Sequence, residues 1–373
     1  MASLSPVVLA GALLAGATLS SCGSSLPSRE IPVPDDLPPA RAELPPGTTL
    51  WTRRVLAGAD RLTLRRGWIT GGLVVLETSI PSLVVLDART GAERFGLLLK
   101  SPLAHPPHSD GRILAALSRG RLHVVEAETG RLLVSQHLYF LPVGPPCCKG
   151  DTVYLTAFSE KRIRAVDAQT GQGGWYWDGA QVPVGGLALA TGGKGRQVLV
   201  CPVDSGSVLG FWAYGSDGPN PGGPVWEVSR LGRGQAWVRT RGGLAYLATT
   251  DALVYAVKGN SGALVWSCPV NESCRSRPAL GRQELFVQAG GRFLCLGLEK
   301  GELRWSFPGH LRPVLAEDSR LWATTSDHQL LRLDLADGKV EGCWKSGGLR
   351  WLDNGTGDLL IGWNPEGLVL ARR

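Results

Sequence analysis

The chain has no run of Lys or Arg and no cluster in which basic and aromatic residues alternate, so a nucleic-acid partner is not expected. It has no Gly-x-Ser-x-Gly elbow, no phosphate-cradling glycine loop and no zinc spacing of Cys and His. These absences remove the commonest hydrolase, nucleotide and zinc signatures. Histidine is scarce, and His105 and His108 flank a Pro-Pro pair rather than a helical turn. No catalytic residue, metal or cofactor is therefore assigned from motifs. The apolar stretch from Pro6 to Leu19 is too short to span a bilayer comfortably.

What is abundant is turn chemistry. Fifty glycines and 25 prolines suit short strands joined by turns and leave little room for long helices. At 373 residues, 43% of them hydrophobic, the chain can bury a core without disulfides. The net charge is +7 but uneven: the first 21 residues carry no charged side chain. Residues 23–47 set Arg29 and Arg41 against Glu30, Asp35, Asp36 and Glu43, a net of −2, so the body carries +9 and favours acidic partners.

Residues 1–21 read as a secretory signal whose apolar stretch ends in Leu19-Ser20-Ser21-Cys22-Gly23. Small residues before a cysteine resemble the bacterial lipobox, in which the thiol takes a diacylglyceryl group and becomes the mature N-terminus. Cys22 is therefore the expected lipidation site, and several acyl chains hold a protein to a membrane where one does not. The rival reading is an ordinary secretory signal with an incidental cysteine, and the stretch Met1–Ser5 lacks the usual Lys or Arg. Residues 22–47 follow as a tether, with seven prolines in the 25 positions from 23 to 47.

From residue 48 onward one pattern repeats. Asp87-Ala-Arg-Thr90-Gly91-Ala-Glu-Arg-Phe95 returns as Glu126-Ala-Glu-Thr129-Gly130 and as Asp167-Ala-Gln-Thr170-Gly171-Gln-Gly-Gly-Trp175. Weaker copies end at Trp226, Trp266 and Trp305, and a last one carries Asp334 and Gly338. The motif glycines stand at 91, 130, 171, 222, 262, 301 and 338, steps of 39, 41, 51, 40, 39 and 37. A period near 40 marks a propeller or solenoid. Each copy reads as a hairpin turn after a β-rich run such as Leu83–Leu86, with Asp and Thr oxygens holding turn amides and Gly supplying positive φ. The large residue four places on offers area to bury between sheets.

Seven copies mark seven blades. The C-terminus adds two strands, around Leu359–Ile361 and Leu368–Leu370, and stops without a motif. The segment Leu50–Val55 begins as an orphan outer strand with Trp51 in the blade position. Joined, they complete an eighth blade. The expected fold over 48–373 is all-β: an eight-bladed β-propeller of four-stranded antiparallel blades, closed by pairing of the N- and C-terminal strands.

These Asp-x-x-Thr-Gly-x-x-x-Trp repeats resemble the pyrroloquinoline-quinone-like (PQQ-like) propellers, which include both quinoprotein dehydrogenases and non-enzymatic members. The lipobox, tether and compact blades are similar in layout to outer-membrane assembly lipoproteins of the BamB kind. That resemblance implies a non-enzymatic, monomeric scaffold anchored outside the cytoplasm, at the periplasmic face of an outer membrane, binding other envelope proteins and helping outer-membrane protein assembly. The alternative is a PQQ-dependent dehydrogenase-like quinoprotein. Its best support is the pair Cys147-Cys148, since quinoprotein alcohol dehydrogenases carry a ring-forming disulfide between adjacent cysteines beside the quinone. Against it, blades this compact leave little chain for loops that close over a quinone. Only the fourth is extended, at Tyr214–Pro224, and no acid-plus-amide cluster for Ca²⁺ accompanies the pair. Of the other cysteines, Cys268 and Cys274 bracket a short loop and can pair, while Cys201, Cys295 and Cys343 read as small core residues.

Overall fold

A computed structural model describes residues 38, 40–56, 62–158, 162–192, 195–213, 223–229, 236–355 and 357–373. The signal segment, Cys22, most of the tether and most of the Tyr214–Pro224 extension lie outside the described residues. Among the described residues, thirty-two strands form eight four-stranded antiparallel sheets arranged as a β-propeller.

Seven blades use consecutive strands. Blade 1, for example, runs Leu64–Thr70, Leu73–Thr78, Ser82–Asp87 and Glu93–Leu98 from axis to rim. Blade 8 takes Arg350–Trp351, Leu360–Trp363 and Leu368–Arg372 from the C-terminus and Thr49–Arg54 from the N-terminus. Trp51 pairs with Ala371 and Arg54 with Leu368, so the expected closure is present, one residue earlier than the pattern suggested. Closure covers a strand edge that would otherwise be open to another chain.

The burial pattern explains the unusual apolarity of the second strands. Leu73–Thr78, Ile113–Ser118 and Thr152–Ala157 are buried at every position, because each blade is covered on both faces by its neighbours. The outer strand Glu93–Leu98 is mostly exposed. Eight hydrophobic clusters result, one at each contact between successive blades, including the contact of blade 8 with blade 1 around Trp51, Val74 and Ile361.

The repeat motif has two jobs. Within its own turn, Asp87 Oδ1 accepts the backbone N–H groups of Arg89 and Thr90, at 3.0 and 2.8 Å, and the Thr90 hydroxyl at 2.9 Å. Partial burial would raise the Asp87 carboxyl, but hydrogen bonds from Arg94, Thr90 and Arg89 outweigh it and hold the pKa at about 2. Asp167 and Thr170 repeat the arrangement. Between blades, the motif glycine of one turn is the seat for the aromatic residue of the blade before it. A Cβ at Gly91 would strike Trp51, at Gly130 Phe95, at Gly262 Trp226 and at Gly301 Trp266.

The last part of the expected tether docks on the body. Arg41 N–H donates to the carbonyl of Cys343 at 3.0 Å, and Lys345 N–H donates to that of Arg41 at 2.8 Å. The Arg41 guanidinium lies 5.9 Å from the Trp344 ring. The open outer edge of blade 7 has unpaired backbone groups there, and residues 40–42 cover part of it.

Candidate functional site

The first strands of the blades line a central channel. A cavity of about 550 Å³ is walled by residues of all eight blades, among them Thr70, His108, Cys147, Leu189, Arg239, Arg277, Arg312 and Asp353. It shares walls with a cavity of about 800 Å³ at one mouth, bordered by Arg65, Arg66, His310 and Arg350, and with one of about 460 Å³ at the other, bordered by Arg241 and Gly355. Arginines stitch neighbouring first strands together. Arg66 donates to the Leu103 carbonyl at 2.6 Å, Arg239 to that of Pro278 at 3.3 Å, and Arg312 to that of Trp351 at 2.6 Å. Sequence reasoning missed these groups. Their signal was an arginine recurring near the start of successive repeats, at 239, 277, 312 and 350, hidden among the other arginines.

The cysteine pair lies on the first strand of blade 3, Cys147–Lys149, as expected from its place before Thr152–Ala157. Neighbouring residues of a strand point to opposite faces, and the two side chains divide accordingly. Cys147 packs with Trp177 and Phe211 between blades 3 and 4, and Cys148 with Leu155 and Val153 between blades 2 and 3. Both are free, buried thiols. Burial raises Cys147 to about 12 and pushes Cys148 up as well, so neither is a thiolate at neutral pH.

His108 stands beside Cys148. The Cys148 N–H donates to His108 Nδ1 at 3.2 Å, and the Cys148 thiol faces the His108 carbonyl at 3.3 Å. Burial, reinforced by the charge of Arg277, lowers the imidazole to about 4, leaving it neutral with its proton on Nε2. His108 Nδ1 also lies 3.1 Å from Cys148 Sγ, but burial lowers the imidazole and raises the thiol, so transfer of the thiol proton to the ring is unfavourable. His105 turns elsewhere, to the Pro142 carbonyl at 3.2 Å. Among the described residues no group of three or more His, Cys, Asp and Glu is placed to hold a metal. Cys268 and Cys274, read as able to pair, are buried as separate thiols in the cluster between blades 5 and 6.

A different surface carries five of the eleven exposed large apolar side chains among the described residues. Because the strands alternate in direction, turns between second and third strands share one propeller face with the crossovers between blades. On that face, in blades 1 to 3, stand Ile80, Leu98, Tyr139, Leu141 and Phe158, with Tyr139 at 91% and Leu98 at 80% exposure. Phe158 N–H donates to the Leu141 carbonyl at 3.1 Å, which ties the turn of blade 3 to the crossover before it. Lys100 and Arg119 are exposed on the same face.

No curated protein matches the chain. Among solved structures, the crystal structure of BamB from Moraxella catarrhalis superposes with a TM-score of 0.66 at 14% identity, covering 87% of this chain and 99% of that one. A computationally designed protein, Ika8, gives a TM-score of 0.62 at 14% identity over 87% of this chain and 98% of its own. At such identity these likenesses establish the fold. The sequence profile of the family described as outer membrane protein assembly factor BamB matches residues 82–211 and 218–351, most of the propeller, and the chain belongs to that family.

Proposed function

We propose that this protein is a non-enzymatic scaffold of the cell envelope, held to a membrane by acylated Cys22, that helps assemble outer-membrane proteins. Family membership supports the setting, and the crossover face of blades 1 to 3 is the observation that carries the binding role. A monomeric soluble body rarely exposes side chains such as Tyr139, Leu98, Leu141 and Phe158 together on one face without a partner for them. Lys100 and Arg119 beside them, and the +9 charge of the body, suit a partner with an apolar surface and an acidic border. Binding at such a surface is dominated by a few aromatic and aliphatic anchors.

The experiment is affinity purification of the full chain from envelopes, comparing wild type with the Tyr139→Ser, Leu141→Ser, Phe158→Ser triple variant. Outer-membrane assembly components are expected with the wild type and lost from a variant that keeps its melting temperature. Equal recovery with both proteins would show that another face binds them, and their absence from both would sink the assembly role.

A further inference from the structure

Arg66 of the channel is paired with Glu77 at 2.6 Å, whereas Arg277 and Arg312 form no ion pair among the described residues. Asp353 is the one carboxylate among the described residues that line the three channel cavities. It lies 3.7 Å from Arg239 and accepts the Gly355 N–H at 3.0 Å. Arg312 has a carbonyl partner in Trp351 and forms no ion pair among the described residues. Arg277 makes no hydrogen bond or ion pair among the described residues. It reaches across the channel instead: a methyl group at Gly186 would collide with its guanidinium and would also crowd Pro145. Gly186 thus leaves the space in which that cation sits. Burial, then the neighbouring charge of Arg239, draws Arg277 down to about 10, and burial also lowers Arg312, with Asp353 opposing the shift in both. Arg277 is half-buried in the channel, and a guanidinium partly withdrawn from water without an ion pair is unfavourable to the folded state. Both guanidinium groups line the 550 Å³ cavity, and an oxyanion entering it would find in each a planar fork of donors that suits paired oxygens.

We propose that the central channel is a binding site for a small doubly charged oxyanion, phosphate or dicarboxylate, held between Arg277 and Arg312, with Asp353 opposing it. The site goes beyond the assembly reading and does not depend on it.

The test uses the purified chain alone, so its failure leaves the partner role untouched. Inorganic phosphate is titrated calorimetrically at low ionic strength, with succinate as a parallel arm that separates tetrahedral from carboxylate ligands. Binding of either is expected, weakened at least tenfold in Arg277→Gln through loss of charge-assisted hydrogen bonds. Asp353→Asn keeps an oxygen for Gly355 but removes the opposing charge, and is expected to tighten binding several-fold. Without anion, Arg277→Gln is expected to melt higher than wild type, the reverse of what loss of a structural contact gives. Absence of binding by both anions, equal affinity in Arg277→Gln, or weaker binding in Asp353→Asn would each overturn the site.

Discussion

Trp266 of blade 5 and Gly301 of blade 6 are in contact across the blade boundary, with no room at Gly301 for even a methyl group. The Trp266 indole N–H reaches past that contact to the Leu298 carbonyl at 2.9 Å. Trp226 does the same to Gly259 at 2.9 Å, Trp305 to Leu335 at 2.8 Å, and Trp51 to Ala88 at 3.3 Å. Each motif is thus half of a joint whose other half lies one repeat earlier. Gly301 is needed twice, for its φ of 70° and for the space the indole fills. Gly301→Ala is expected to destabilise by about 2–4 kcal/mol, from backbone strain and overpacking together. Trp266→Phe, which keeps a ring but orphans the Leu298 carbonyl, is expected to cost about 1–3 kcal/mol in denaturant unfolding. A neutral Gly301→Ala would mean that the joint does not hold the blades.

Closure by the two chain ends makes a second prediction. Deleting residues 48–56 strips the outer strand from Leu368–Arg372 and removes Trp51 from the cluster between blades 8 and 1. The truncated protein is expected to melt lower and to associate on size-exclusion chromatography through the bared edge. The single change Trp51→Ala is expected to cost about 3–5 kcal/mol without exposing that edge. A truncated protein as stable and monodisperse as the full chain would contradict the closure.

The fold was legible because a propeller writes the same local chemistry many times. Asp87, Thr90 and Gly91 specify a turn by local hydrogen bonds, and such short-range chemistry survives in sequence. Trp51, alone before the first motif, marked the closing strand for the same reason. The channel was not legible, because Arg239, Arg277 and Arg312 come together only when the ring closes. The buried thiols of Cys268 and Cys274 show a related limit, since proximity along the chain does not decide whether side chains face each other or the core. The crossover face was equally hidden: Tyr139 and Phe158 look like ordinary blade aromatics until the strands assign them to a surface.

Acid is expected to weaken the fold before the carboxylates titrate. Burial, then the charge of Arg277, lowers His108 to about 4, while Arg239 acts the same way and Asp110 opposes. Burial and Arg121 lower His123 to about 4. In the unfolded chain both take up a proton near 6.5. Between these values the unfolded state holds more protons, so stability falls as pH drops from about 6.5 to about 4. The slope is at most about 1.4 kcal/mol per pH unit for each group. Denaturant midpoints at pH 7, 5.5 and 4.5 measure it, and a His108→Asn, His123→Gln variant is expected to flatten the curve. An unchanged slope in that variant would assign the acid sensitivity elsewhere.

The proposed membrane anchor rests on one thiol. Cys22→Ser is expected to lose the acyl mass and to move from the membrane fraction to the soluble extract, because the remaining attachment has no lipid. A variant that still sediments with membranes and carries no acyl group would mean that the body itself holds the membrane.

The scaffold and quinoprotein readings part most sharply at the cysteine pair. A ring-forming bridge needs Cys147 and Cys148 on the same side, whereas here they enter clusters on opposite faces of the blade. Their adjacent Cα atoms, about 3.8 Å apart, are also closer than disulfides ordinarily allow. A calcium site would need several oxygen ligands, including carboxylates. The channel instead presents Arg239, Arg277 and Arg312 against Asp353 alone, and these cations repel calcium. Purified protein given PQQ and Ca²⁺ is therefore expected to show no calcium-dependent uptake and no oxidation of alcohols or sugars. PQQ carries carboxylates of its own, so calcium-independent uptake that is lost in Arg277→Gln belongs to the channel anion site. Calcium-dependent binding at micromolar or tighter affinity, lost in a Cys147→Ser, Cys148→Ser double variant, would make the protein a quinoprotein instead.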